Sequence, residues 1–117
     1  MREYIFKIRK IDKEVFDSIN DGQKTIETRA ATEKYKKVVS GDTLIFVCGN
    51  ERIERKVGKV EFYKNIDEMV SVLDFKTIMP FVDSVDEMKR TYFGFPNYKE
   101  KIRKCGLVAF GLKDKTD

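Results

Sequence analysis

Gly49-Asn50 joins an apolar run, Thr43 to Cys48, to a second run that begins at Arg52. A two-residue turn of this kind folds the chain back on itself as an antiparallel hairpin. The returning strand then changes parity. Its apolar residues fall on odd positions at Ile53 and Val57 and on even positions at Val60 and Phe62. One extra residue near Gly58-Lys59 accounts for the slip, and a bulge there bends a strand in the way a small barrel needs in order to close.

Around that hairpin the other elements are short. Tyr4 to Arg9 alternates, with Tyr4, Phe6 and Ile8 inward and Lys7 and Arg9 outward, and reads as a strand. Asp12 stands at an N-cap position, Val15, Phe16 and Ile19 share a helical face, and Gly22 closes that helix as a left-handed cap. Residues 32–40 form a polar, basic connection. Asn65 or Asp67 caps a short helix carrying Ile66, Met69, Val70 and Leu73, and Pro80 breaks the chain. Ser84-x-x-Glu87 is a capping box that opens a helix with Val85, Met88 and Tyr92 on one stripe, ended by Gly94 to Pro96. A basic stretch, Tyr98 to Lys104, precedes a last strand from Leu107 to Leu112, and Lys113 to Asp117 reads as a frayed tail. Few strands with intervening helices and a returning C-terminal strand predict an α+β fold, a small mixed β-barrel of about five to six strands with flanking helices. The 117 residues, 41% of them apolar, make one domain spanning 1–117.

Histidine is absent, which excludes Ser-His-Asp and Cys-His catalysis and any His-based zinc site. Acid–base chemistry in this chain falls to carboxylates, Lys or Tyr. No metal and no cofactor is expected. Cys48 and Cys105 read as two reduced, buried thiols. No apolar run approaches the roughly 18 residues that span a bilayer, and the N-terminus carries no signal peptide, so a cytoplasmic protein without membrane contact is expected. The net charge of +4 comes from 24 basic and 20 acidic residues. Such a Lys/Glu-rich surface also suits proteins that work hot, so the count alone does not argue for a nucleic-acid partner.

Where the charges sit is more informative. Gly22-Gln23-Lys24-Thr25-Ile26-Glu27-Thr28-Arg29 puts a cation, a carboxylate and a second cation on what otherwise reads as a buried strand. Alternation sets Glu27 and Arg29 on one face with Thr25, and Ile26, Thr28 and Ala30 on the other. Lys24 reaches the Glu27 face from the preceding turn. Buried charges survive when paired, so the cluster is either a structural ion network or a site in which Lys24 and Arg29 face a phosphate or base edge. In a dry cleft beside other cations, Lys24 is also a candidate base or nucleophile.

Two further candidates follow. Basic residues interleave with aromatics at Lys34-Tyr35-Lys36-Lys37, at Lys59 with Tyr63, at Lys89-Arg90 with Tyr92, and from Tyr98 to Lys104. Cationic grooves with aromatic platforms hold single-stranded nucleic acid; interleaved Glu33, Glu51, Glu54, Glu61 and Glu100 fit a solvated mixed surface equally well. On the late helix, capping explains Glu87 and packing explains Tyr92, whose hydroxyl still needs a partner.

The sequence resembles the ASCH domain family, a PUA-like β-barrel module. The resemblance rests on Gly22-x-Lys24-x-x-Glu27-x-Arg29, on Gly41-Asp42 before a hydrophobic strand, on Ser84-Val85-Asp86-Glu87 opening a helix with Tyr92, and on the closing strand from Gly106 to Leu112. It implies a PUA-like barrel and a small RNA-binding domain that recognises a nucleotide or single-stranded RNA, with Lys24, Glu27, Arg29, Tyr92 and Arg90 as its contacts. The alternative it implies is a nucleoside amidohydrolase of the N4-acetylcytidine type, or a ribonuclease, with Lys24 as base and Glu27 as proton shuttle. The enzymes of the superfamily carry a threonine three residues after the lysine, where this chain has Glu27. They also carry a glutamate ahead of the late helix, where the nearest carboxylate here is Asp83. RNA or a nucleotide is the expected partner, with a protein partner as a third reading.

Overall fold

A computed structural model describes residues 1–114. Five strands and six helices follow one another among them. Strand β1 (Glu3–Lys7) leads through a 3-10 turn into helix α1 (Lys13–Asn20), β2 (Ile26–Ala30) and the short α2 (Glu33–Lys36). The hairpin β3 (Thr43–Cys48) and β4 (Glu51–Tyr63) is followed by α3 (Ile66–Val72), α4 (Phe75–Ile78), α5 (Val85–Gly94), α6 (Tyr98–Cys105) and β5 (Leu107–Lys113). The sheet order is β1-β3-β4-β5-β2. Strands β1 and β3 run parallel and every other pair is antiparallel.

The sheet is curled into a half-barrel, and its side chains prove the curl. Phe6 on β1 touches Phe110 on β5 with ring centroids 5.8 Å apart. In a flat sheet those strands, three places apart, would lie about 14 Å from each other. The expected bulge is present: the β4–β5 register shifts between Val57 and Val60, at Gly58-Lys59. The inner face packs Phe6, Leu44, Phe46, Val57, Val108 and Phe110 against Phe16 and Ile19 of α1. The outer face packs Ala30, Tyr63, Leu107 and Ala109 under Ile66, Met69, Met88, Tyr92 and Ile102 from the later helices. Strand β5 is buried on both faces from Leu107 to Phe110, which is why the closing strand reads as continuously apolar.

Local chemistry explains the boundaries. Asn65 caps α3 by accepting from the Glu68 N–H at 2.8 Å. Ser84 caps α5 by accepting from the Glu87 N–H at 3.1 Å, while the Glu87 carboxylate accepts from the Asp83 N–H at 2.9 Å. Gly22 follows α1 with φ +85°, a left-handed value that favours glycine.

Several expectations are corrected. The basic stretch from Tyr98 is helix α6; only Tyr98 and Ile102 mark its buried side, too sparse a stripe to reveal a helix before the sheet supplies a surface for it. The connection at 32–40 contains α2, and Phe75–Ile78 forms α4, capped by Asp74 through the Lys76 N–H at 3.0 Å. Asp12 sits at the N-cap of α1 without capping it: it ends the 3-10 turn with φ −102° and ψ 26°, outside the extended conformation of a capping residue, and its carboxylate accepts from Arg9 at 2.7 Å. Both cysteines are free; Cys48 is buried, but Cys105, the last residue of α6, faces solvent. Lys113, expected as the start of a frayed tail, is the last residue of β5, and residues 115–117 of that tail lie outside the described residues.

Candidate functional site in the seam of the half-barrel

Strands β1 and β2 stand at the two ends of the sheet order and are not paired with each other. The gap between them is a seam, and a cleft of about 180 Å³ opens in it. Lys7, Ile8 and Arg9 line it from β1 and the residues just after. Lys24, Glu27, Thr28 and Arg29 line it from β2 and the turn before, and Tyr92, Phe95 and Tyr98 from α5, α6 and their junction.

Being at an end, β2 has one row of backbone groups without a strand to pair. The Leu112 N–H donates to the Thr25 carbonyl at 2.8 Å, so odd positions serve β5 and even positions face the seam. Side chains of Lys24, Glu27 and Tyr98 take up three groups of that row. Lys24 Nζ donates to the Ile26 carbonyl at 2.8 Å, the Thr28 N–H donates to Glu27 Oε1 at 3.2 Å, and the Ala30 N–H donates to the Tyr98 hydroxyl at 3.4 Å. Lys24, Glu27 and Tyr98 thus do part of the work of a missing sixth strand.

The charges are paired in a chain. Lys24 Nζ lies 3.2 Å from Glu27 Oε1 and donates also to the Ile78 carbonyl at 2.6 Å. All three ammonium donors are therefore engaged. Glu27 Oε2 accepts from Arg29 Nε at 3.0 Å and Nη2 at 2.9 Å, a two-pronged grip. Arg29 Nη1 donates to the Tyr35 hydroxyl at 3.2 Å, and the guanidinium lies 4.8 Å from the Phe6 ring centroid and 5.3 Å from that of Tyr35. Three of its five N–H groups are spent, which leaves two.

Lys24 and Glu27 are each only 4% exposed. Burial disfavours the charge on Lys24 and outweighs the pull of Glu27, so its pKa is lowered. Burial alone would raise the Glu27 carboxyl, but Lys24 and Arg29 together hold it below the ordinary carboxylate value. Arg29 is raised, Glu27 outweighing its burial. The Tyr92 hydroxyl bonds Thr28 Oγ1, and burial pushes that phenol up, so it stays protonated.

Four of the five site residues expected from sequence come together here. Arg90 does not: it is exposed on α5 and outside the cleft lining. Lys7, Arg9, Asp12, Phe95 and Tyr98 line the cleft without having been singled out as its residues. Their contribution depends on the curl that brings β1 to β2, which no local spacing announces. Among the described residues no three of His, Cys, Asp and Glu gather as a metal site, and no helix is long and apolar enough to cross a membrane.

The sequence matches the ASCH domain family over residues 10–115. The chain belongs to the ASCH domain family. The crystal structure of hypothetical protein PH0355 is similar, with a TM-score of 0.82 and 27% identity over 97% of this chain and 98% of that one. The solution structure of protein PF0455 from Pyrococcus furiosus has a TM-score of 0.76 and 25% identity over 98% of this chain and 99% of that one. No curated protein matches the chain significantly. Lys24, Glu27 and Tyr98, which bond the free edge of β2, all lie within the matched residues.

Proposed function

We propose that this ASCH domain binds a nucleotide unit of RNA in the seam cleft. The observation that carries the proposal is the charge of an otherwise apolar cleft. Lys7, Arg9, Lys24 and Arg29 face Asp12 and Glu27 there, four cations against two carboxylates, an excess of two positive charges. Inside the cleft, the Lys24, Glu27 and Arg29 trio alone retains one positive charge beside Tyr92, Phe95 and Tyr98. An anion completes that balance, and the two remaining N–H groups of Arg29 are donors for a phosphate or a base edge. The volume is that of a single ring: a cavity of about 150 Å³ holds a benzene. Tyr92 and Tyr98 form the wall against which such a ring lies.

Lys24 and Glu27 hold Arg29 and the strand edge rather than contact the ligand. With every donor of Lys24 engaged, its use as a base would require breaking bonds to two carbonyls and a carboxylate.

The test is a titration of nucleoside monophosphates and the parent nucleosides at about 50 mM and about 200 mM salt. The phosphate should strengthen binding, and salt should weaken it. Arg29→Ala should weaken the monophosphate at least about tenfold and lower the salt slope by about 1; Arg29→Lys, which keeps the charge and loses the fork, should recover only part. Affinity that ignores salt and Arg29 overturns the reading. Acetylated cytidine in the same samples, with Lys24→Ala alongside, reports on the amidohydrolase alternative: product that vanishes in the variant would make the cleft an active site.

A further inference from the structure

A second groove, of about 650 Å³, runs between α5 and α6 on the far side of Phe95 and Tyr98. Those two rings line both cavities, so a single aromatic wall separates them. Tyr92, Phe95 and Tyr98 pack edge to face along it, with centroids 6.4 Å and then 5.6 Å apart. We propose that a single strand of RNA passes from the seam cleft over the Phe95–Tyr98 wall into this groove, so that the domain holds a run of nucleotides rather than one. The inference rests on the nucleotide reading of the cleft.

The groove has the chemistry for it. Lys89 and Phe93 are spaced i, i+4 on α5 and face it together, as do Lys99 and Arg103 on α6. Phe93 is 43% exposed, and Lys99 Nζ lies 5.6 Å from its centroid. A flat apolar face beside a cation is the pairing that stacks a base and meets its phosphate. Asp67 takes Lys89 at 2.7 Å and Glu100 takes Arg103. Three cations against two carboxylates still leave the groove one positive charge, carried by the lysine at the ring. Base stacking is tolerant of sequence, so the groove adds affinity without selecting bases, and selection is left to the cleft.

The experiment compares uridine monophosphate with oligouridylates of two and four nucleotides, and with an abasic strand of the same length, on the full chain at about 50 mM salt. The tetranucleotide should bind at least about tenfold tighter than the monophosphate. Phe93→Ala with Lys99→Ala should remove most of that gain and leave the monophosphate unchanged, while Phe93→Tyr keeps the gain. Both positions are exposed, and an unchanged melting curve checks that the fold is kept. Equal affinity for one and four nucleotides overturns the extended path but not the cleft. So does an abasic strand that binds as tightly, or a double variant that keeps the full gain. Failure of every nucleotide to bind removes the cleft reading and this one with it.

Discussion

The guanidinium of Arg29 lies 4.8 Å from the centre of the Phe6 ring, and through that contact the two end strands of the sheet meet. On a flat sheet β1 and β2, four places apart, would be about 19 Å from each other. Arg29 therefore has two tasks at one position. Its Nε and Nη2 hold Glu27, and the guanidinium lies over the Phe6 ring. Two of its N–H groups are left, on a side chain that lines the cleft.

Glu27 is the centre of the ion chain, and its removal should cost the most stability. Glu27→Gln leaves Lys24 and Arg29 as neighbouring buried cations with no carboxylate between them. Unfolding free energy, measured with denaturant, should fall by about 3–5 kcal/mol, the range for breaking a buried ion pair from one side. A loss below about 1 kcal/mol would mean that water or a solute anion replaces the carboxylate.

The same residue sets the acid limit. Its folded pKa lies below the ordinary 4.5 because Lys24 and Arg29 favour the carboxylate. The unfolded chain thus binds the proton first, and the stability that Glu27 supplies is complete above about pH 4.5. It is lost as pH falls through the lower folded value. Lys24 acts at the other end: its folded pKa is lowered from 10.5, so the cost of burying its charge is relieved as pH rises through that folded value toward 10.5. Denaturant titrations across pH should show a steep acid limb that Glu27→Gln flattens.

Tyr92 is 1% exposed, and its hydroxyl is spent on Thr28 Oγ1. Tyr92→Phe should lower stability by about 1 kcal/mol, the net worth of one buried neutral hydrogen bond. Nucleotide affinity should change less than about twofold, since the ring stays in the cleft wall. A large affinity loss at full stability would show that the hydroxyl turns to the ligand.

Two glycines with positive φ should respond differently to alanine. At Gly22 (φ +85°) a methyl group meets nothing within 4 Å, so the cost is the left-handed backbone alone, about 1–2 kcal/mol. At Gly106 (φ +73°), between α6 and β5, the methyl carbon would stand 2.5 Å from the Tyr63 carbonyl oxygen. That clash is with backbone, so Gly106→Ala should cost well over 2 kcal/mol and shift the melting temperature far more than Gly22→Ala.

Much of the fold was legible because local chemistry and tertiary structure agree. The Gly49-Asn50 turn, the parity slip at Gly58-Lys59, and the Asn65 and Ser84 caps each have a local cause and stand where their residues put them. Helix α6 was hidden because its buried side is little more than Tyr98 and Ile102, and its helicity depends on packing against β2 and α5. For the site, alternation correctly placed Glu27 with Arg29, and Lys24 does reach them from the turn. It did not reveal that β2 is an end strand, which is what gives those charges their partners. The contributions of Arg9, Phe95 and Tyr98 were invisible for the same reason. They arrive from both sides of a seam that exists only once the sheet has curled.

Sealing that seam with side chains separates two properties that a closed barrel ties together. In a closed barrel the opening is fixed by strand number and register, and a register slip by one residue turns every side chain to the wrong face. Here the end strands meet where the Arg29 guanidinium of β2 lies against the Phe6 ring of β1, with Tyr35 beside both. A different ring at either position would change that contact without altering the register of any strand pair. The frame and the gauge of its opening are thus adjustable independently, through three side chains.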